Sequence, residues 1–184
     1  MTKLFVAIGI PHSVTQKLMQ LQPAAAPKVR LVQREQMHIT LRYIGDDDIE
    51  RINTALERIV TTEFLLQIQS TGYFQSSRGP TILWAGVKEN ALLTTLHNDT
   101  TSVLTQIGIK PEARSYMPHV TLARCGKSVA SGVVASFMKN NVSLPVIPVK
   151  TFSLYSSRTE HGVLVYTPER MYPLQKTESL TANR

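Results

Sequence analysis

The sequence predicts an α+β fold with a mainly antiparallel sheet and an internal duplication. Three observations carry that expectation. Strand-like runs mix with helix-like ones, and several strands lie close enough in sequence to form hairpins. A strand, a helix and a second strand recur in the two halves of the 184-residue chain. The second strand of each half spells His-x-Thr-Leu, as HITL at 38–41 and again as HVTL at 119–122.

Taken in order, KLFVAIGI (3–10) reads as a buried first strand. Pro11 suits a helix start, and Val14, Leu18 and Leu21 recur at helical spacing over 12–22. QPAAAPK is a Pro-rich loop, RLVQ (30–33) a short strand, and MHITLRYIG (37–45) a strand that Gly45 ends. Asp46, Asp47 and Asp48 bring negative charge to the start of a helix over 48–61, whose Ile49, Ile52, Leu56, Ile59 and Val60 share one face. FLLQIQSTGYF (64–74) and TILWAGV (81–87) read as two strands joined by a turn at SSRGP. A long amphipathic helix follows over 90–107, with Gly108 where a C-terminal cap belongs. PHVTLARC (118–125) is the second motif strand, and 128–140 a helix weakened by Gly132. PVIPVKTFSLYSS, GVLVYTP and RMYPLQK read as three closing strands. These elements make one domain over 1–176, with a polar tail at 177–184. No short-period repeat is present, which argues against a solenoid.

Bulk composition narrows the class. With 42% hydrophobic and 18% charged residues the chain is too apolar to be disordered. Cys125 is the single cysteine, so no intramolecular disulfide can form and a cytoplasmic location is the simple expectation. The apolar run after Lys3 is short, ends at Pro11–His12 and lacks a small-residue cleavage site, so it reads as a strand and not as a signal peptide. No stretch approaches the roughly 18–20 apolar residues that span a bilayer. The formal charge of +7 fits either an ordinary basic surface or an anionic partner such as RNA or a nucleotide.

The paired tetrapeptides carry the chemistry. Alternate residues of a strand point to one side, so His38 and Thr40 share a face, as do His119 and Thr121. Ile39, Leu41, Val120 and Leu122 then pack behind them. If the duplication brings the two strands together, two imidazoles and two hydroxyls converge on one cleft. One neutral histidine can take a proton from a nucleophile while a second, protonated one gives a proton to a leaving group. Threonine hydroxyls can donate to non-bridging phosphate oxygens. A lone HxT in a strand would ordinarily be a half-buried or surface histidine; a matched pair is harder to explain that way. A two-histidine metal site competes, but no carboxylate or cysteine stands at ligand spacing.

MHITLRYIG and RSYMPHVTLAR resemble the paired signatures of the two-histidine phosphoesterase superfamily, and within it the RNA 2′,3′-cyclic phosphodiesterases, also called 2′-5′ RNA ligases. LFVAIGIP and FSLYSS are similar to that family's first strand and a C-terminal strand, so the likeness runs from about residue 3 to 175. The resemblance implies a bilobal fold with the motifs lining a central cleft, and no metal or other cofactor. It implies hydrolysis of RNA 2′,3′-cyclic phosphate ends to a 2′-phosphomonoester, with reversible 2′-5′ ligation in some members. It makes His38 the proton donor and His119 the proton acceptor, although the symmetry of the sequence allows the reverse. Thr40, Thr121 and Arg124 become the phosphate-binding set. Both histidines come from one chain, so a monomer is expected.

Other residues fit less simply. Arg124 lies five positions beyond His119, so it reaches the phosphate only if the strand ends or bulges before it. Arg42 falls on the His38 face by alternation and is a candidate RNA contact; Tyr43 is a second, by stacking. Phe5 and Tyr155 could also stack on a base, with core packing as the alternative, and Trp84 reads as a core residue. His12, His97 and His161 have no partner pattern. Arg30, Arg34, Arg114, Lys127 and Arg158 could build a basic rim. Cys125 falls on the His119 face by alternation but lacks an activating partner. Two other functions remain open from sequence: a phosphodiesterase for small cyclic nucleotides, and a non-catalytic RNA-binding module.

Overall fold

The structure, a computed structural model, describes residues 2–75, 79–126, 130–140 and 142–176. Part of the expected SSRGP turn, Lys127 and the tail 177–184 lie outside the described residues. The described chain forms, in order, β1 (Lys3–Gly9), α1 (His12–Gln20), β2 (Val29–Leu31), β3 (His38–Gly45), α2 (Ile49–Leu56), β4 (Phe64–Leu66), β5 (Ile68–Phe74), β6 (Thr81–Val87), α3 (Ala91–Gln106), β7 (His119–Cys125), α4 (Ala130–Phe137), β8 (Ile147–Val149), β9 (Thr151–Glu160) and β10 (Val163–Pro173).

The α+β expectation holds, and the duplication is visible in the sheet. Its strand order is β10-β9-β1-β3-β7-β6-β5, with β2 also paired to β7, and the pairings are antiparallel. The central run β1-β3-β7-β6 is palindromic: β1–α1–β3 in one half corresponds to β6–α3–β7 in the other. The halves join where β3 meets β7, at the residue pair Ile39–Val120. A pseudo-twofold axis through that pair exchanges the two motifs.

The sheet has a packed face and an open face. Leu4, Val6, Ile8, Ile39, Leu41, Val120 and Leu122 are at most 3% exposed and belong to the main core cluster. Leu18 of α1, Ile52 and Leu56 of α2, and Leu96 and Leu104 of α3 join the same cluster. Each such side chain contributes about 1.5–3 kcal/mol relative to exposure. A one-residue slip of β3 or β7 would turn these apolar sets outward and the histidines inward, so burial fixes the register that aims the motifs.

Local signals set the element ends. The Asp48 carboxylate accepts the Arg51 amide at 2.8 Å, and the Asn90 side chain accepts the Leu93 amide at 3.0 Å, capping α2 and α3. Gly108, at φ +89, lets the chain turn back so that its own amide reaches the Thr105 carbonyl and the Ile109 amide the Leu104 carbonyl. Helix α2 stops at Leu56, short of the expected residue 61, and leaves Val60 exposed. The expected 64–74 strand divides, because β4 pairs with β8 in a separate two-stranded sheet while β5 pairs with β6. The expected closing strands at 162–168 and 170–176 fuse into β10. Pro168 and a register shift before Arg170 are tolerated there because β10 is the sheet edge. Between β9 and β10, His161 (φ 49) and Gly162 (φ 80) form a two-residue hairpin whose positive φ angles match the strand twist. Among the described residues no helix is long and apolar enough to cross a membrane.

Candidate active site

On the open face a cavity of about 480 Å³ lies across the β3–β7 junction. His38, Thr40, His119, Thr121 and Arg124 all line it, as does Tyr43. Continuing the Ile39–Val120 register by one residue sets His38 opposite Thr121 and His119 opposite Thr40. The two histidines are then diagonal neighbours on one face, about 7–8 Å apart at the backbone.

Each imidazole is held in the same way. His38 Nδ1–H donates to the Gln36 carbonyl and His119 Nδ1–H to the Met117 carbonyl, both at 2.7 Å and both two residues upstream. The bond fixes the tautomer and leaves Nε2 as the free nitrogen. His38 Nε2 stands 3.1 Å from the Thr40 hydroxyl, which can donate to it. A glycine lies opposite each histidine on the neighbouring strand, Gly9 for His38 and Gly86 for His119.

Aromatic rings enclose both. His38 packs 4.9 Å from the Phe5 ring and edge-on to Tyr166 at 5.2 Å. His119 meets Phe74 edge-on at 5.0 Å and Trp84 at 5.9 Å. Burial against these rings disfavours the charged imidazolium. It lowers His38 from the usual 6.5 to about 4; the Gln36 carbonyl opposes this, while His119 and Arg124 push it lower still. His119 is lowered for the same first reason, with Met117 opposing and Arg124 assisting. In the empty site both histidines favour the neutral form.

The Arg124 question resolves through a bulge. Trp84 pairs with Thr121 and Leu83 with Ala123, so Leu122 is an extra residue in β7. The shift turns Arg124 onto the face of His119 and into the cavity. It also turns Cys125 away: the thiol is fully buried in the core, which corrects its expected place on the His119 face. The Leu122 carbonyl, freed by the bulge, accepts the Val32 amide and the Gln22 side chain, both at 2.9 Å.

Strand β3 carries the matching bulge, which overturns the expectation for Arg42. Val6 pairs with Arg42 and Ala7 with Thr40, leaving Leu41 extra. Arg42 therefore swings to the packed face, where it is 2% exposed. Its guanidinium pairs with Glu112 at 2.8 Å and donates to the Lys110 carbonyl. It is a buried anchor and not an RNA contact. Tyr43 takes the cavity-facing position instead and is half exposed. The bulge's loose backbone groups are met by side chains: His97 Nδ1–H donates to the Leu41 carbonyl at 2.8 Å, and Glu112 accepts the Tyr43 amide at 3.3 Å. That gives His97, stacked 3.8 Å from Tyr116, a structural place.

The remaining candidates sort by position. Phe5 is 5% exposed, stacks on Tyr155 and forms cavity wall, so packing describes both rings. Trp84 packs against Phe74 and His119. Arg30 lines the cavity. Arg34 bonds His12 at 2.5 Å, and Arg158 faces Glu169 at 3.6 Å. Arg114 is exposed and does not line the cavity. Sequence reasoning missed Tyr166 and Phe74, whose rings touch the histidines. Phe74 shares the alternation of Gly72 across from Trp84, a usable signal; Tyr166 pairs with Ser157 in the β9–β10 hairpin and reaches the His38 ring from there, a contact between distant segments. Among the described residues no group of three or more His, Cys, Asp or Glu is placed to hold a metal ion.

Known proteins share both the sequence pattern and this architecture. The family model described as the 2′-5′ RNA ligase superfamily matches residues 11–158. The protein named RNA 2′,3′-cyclic phosphodiesterase in Methanocaldococcus jannaschii is 28% identical over 124 residues, covering 66% of this chain and 70% of that protein. Its namesake in Methanothermobacter thermautotrophicus is 23% identical over 182 residues, covering 94% and 98%. Among solved structures, E. coli LigT complexed with 3′-AMP superposes with a TM-score of 0.78 at 23% identity, over 94% of this chain and 98% of that one. A Thermus thermophilus protein gives 0.79 at 24% identity, over 95% and 98%.

Proposed function

The chain belongs to the 2′-5′ RNA ligase superfamily, and on that premise we propose that it hydrolyses 2′,3′-cyclic phosphate ends of RNA to 2′-phosphomonoesters without a metal ion. The observation that carries this reading is the matched pair of imidazoles. Both are held through Nδ1 by a carbonyl two residues upstream, and both line one cavity with two threonines and an arginine.

In the proposed reaction, water attacks phosphorus opposite the 3′ oxygen. His119 Nε2 takes the water proton as the new P–O bond forms. His38 gives its Nε2 proton to the departing 3′ oxygen as the P–O3′ bond breaks, leaving phosphate on the 2′ oxygen. Thr40 and Thr121 donate to the non-bridging oxygens, and the Arg124 guanidinium balances the charge gathered on them. Assigning His38 to the leaving-group side and His119 to the water side follows the family resemblance, since both rings are aromatic-lined and similarly half-buried. Neutral in the empty site, His38 acquires its proton when the phosphodiester anion arrives beside it, because an opposite charge favours the imidazolium. With an RNA 5′-hydroxyl in place of water as the nucleophile, the same chemistry would join ends through a 2′-5′ linkage. One chain supplies the whole site, so we expect the monomer to act alone, and the buried lone thiol of Cys125 fits a reducing cytoplasm.

The test is direct. Protein treated with EDTA is incubated with an RNA ending in 2′,3′-cyclic phosphate, and the product is identified. A 2′-phosphate end is expected, with His38→Ala and His119→Ala each reducing turnover at least about 10²-fold. Binding without turnover would favour an RNA-binding module, and turnover of mononucleotides alone a small-molecule phosphodiesterase. Full activity in either alanine variant would refute the assignment.

A further inference from the structure

The cavity holds more positive charge than one phosphate needs. Arg30 of β2 and Arg124 of β7 are directly paired residues of adjacent antiparallel strands, so their side chains leave the sheet on the same side, and both line the cavity. Like charges in that relation repel. Among the described residues neither guanidinium has an ion pair, and none of the residues lining the cavity is acidic. An arrangement of that kind fits a site whose missing partner is an anion.

The two arginines do not address the same point. Arg124 lies close enough to His38, His119 and Tyr166 to act electrostatically on all three. Arg30 lies opposite Arg124, three residues along β7 from the Thr121 that faces His38, and close enough to Tyr166 to act on it. Arg124 therefore belongs to the reacting phosphate, and Arg30 to a position one step farther along the cavity, beside Tyr166. A terminal 2′,3′-cyclic phosphate closes the 3′ end of its nucleotide. The next phosphate along the chain can only be the one on the ribose 5′ oxygen.

We propose that Arg30 is the anchor of a second phosphate subsite, which takes the 5′-phosphate of the terminal nucleotide and makes the enzyme prefer ends that carry one. The assignment rests on the proposed reaction for the identity of the first phosphate, though not for the existence of the second subsite. Arg30 is exposed at the mouth of the cavity, so its variants should fold. The energy it supplies is remote from the reacting bond, which is the kind that draws a substrate into register.

The experiment compares cytidine 2′,3′-cyclic phosphate with the same nucleotide bearing a 5′-phosphate. In the wild type kcat/KM should be about tenfold or more higher for the 5′-phosphorylated form, the size of one charge-assisted phosphate contact at a solvent-open site. In Arg30→Gln the ratio should fall toward one, and with an RNA oligonucleotide the salt slope of binding should drop by about one. A wild-type ratio near one overturns the subsite, and a ratio that survives in Arg30→Gln overturns the role of Arg30. Calorimetry of cytidine 3′-phosphate against cytidine 3′,5′-bisphosphate reads the same subsite without turnover. If neither cyclic phosphate reacts, the proposed reaction fails while calorimetry still decides the subsite. Equal affinities for the two ligands, or a preference unchanged in Arg30→Gln, end the inference.

Discussion

Lowering the pH should switch the site on, because both histidines lie below the usual imidazole range. His38 falls from 6.5 to about 4, so at pH 6.5 only about 0.3% of the free enzyme carries a proton on that ring. The proposed reaction needs one imidazolium and one neutral imidazole. The pair titrates in two macroscopic steps, and the competent singly protonated form lies between them. With both groups depressed, the window falls on the acid side of 6.5. The pH profile of kcat/KM, which reports the free enzyme, should therefore be bell-shaped with its maximum below pH 6.5. Above the upper flank it should fall about tenfold per unit as the last proton leaves. The same shift appears in stability with a definite sign. A folded pKa below the unfolded one gives stability that is present above 6.5 and lost as pH falls through the window toward 4. His38 contributes up to about 3 kcal/mol there. Imidazole NMR titration of the free protein, alongside the rate profile, checks both. A His38 resonance that titrates near 6.5, or a kcat/KM that holds level through pH 7–8, would sink the argument that ring burial governs this site.

Other perturbations have equally definite outcomes. Arg124→Gln removes a charge that lowers both histidines, so the kcat/KM profile should move to higher pH as its height drops; an unmoved profile would place Arg124 away from the imidazoles. Gly72→Ala would set a methyl 2.1 Å from the Trp84 ring, so the indole must move. The expected cost is about 1–3 kcal/mol in denaturant unfolding, with a loss of turnover through His119. Arg42→Met should lower stability by about 1–3 kcal/mol, as a charge-assisted bond is lost, yet leave the salt slope of RNA binding as it was. A reduced slope would mean that Arg42 does meet phosphate after all.

The parts of the fold legible in the sequence were those that rest on local periodicity. The HITL and HVTL strands alternate cleanly, their apolar members are buried, and the four polar members line the cavity. Gly108 and Asp48 act where their chemistry placed them. The errors begin at Leu41 and Leu122, where one extra residue in each strand reverses the alternation. Counting by twos past either position assigns Arg42 and Cys125 to the wrong face and, in an unbroken strand, Arg124 as well. A bulge leaves no composition signal, because what permits it is distant: His97, Glu112, Gln22 and the Val32 amide supply the hydrogen bonds that the broken ladder gives up. The division of 64–74 was hidden for a similar reason, since its cause is pairing with β8, some eighty residues on.

The duplicated backbone and the chemistry pull in opposite directions, and the site shows how both are met. Twofold repetition supplies two histidines with the same tautomer, a glycine opposite each and a bulge three residues beyond each. Acid–base catalysis needs the two to differ. The difference enters two residues past each bulge, where Tyr43 stands in one half and Arg124 in the other. It enters again in the rings, Phe5 and Tyr166 around His38 against Phe74 and Trp84 around His119. One half thus offers a half-exposed phenol ring and the other a fixed cation, so a phosphate bound as proposed would meet an uneven field. The side that carries Arg124 also carries its cross-strand partner Arg30. An RNA end is itself unsymmetrical, with one free 3′ terminus and the remaining chain on its 5′ side. In the proposed reaction, gathering both arginines beside β7, although Arg30 comes from β2 of the first half, would orient that end with respect to the two imidazoles and so decide which of them faces the departing oxygen.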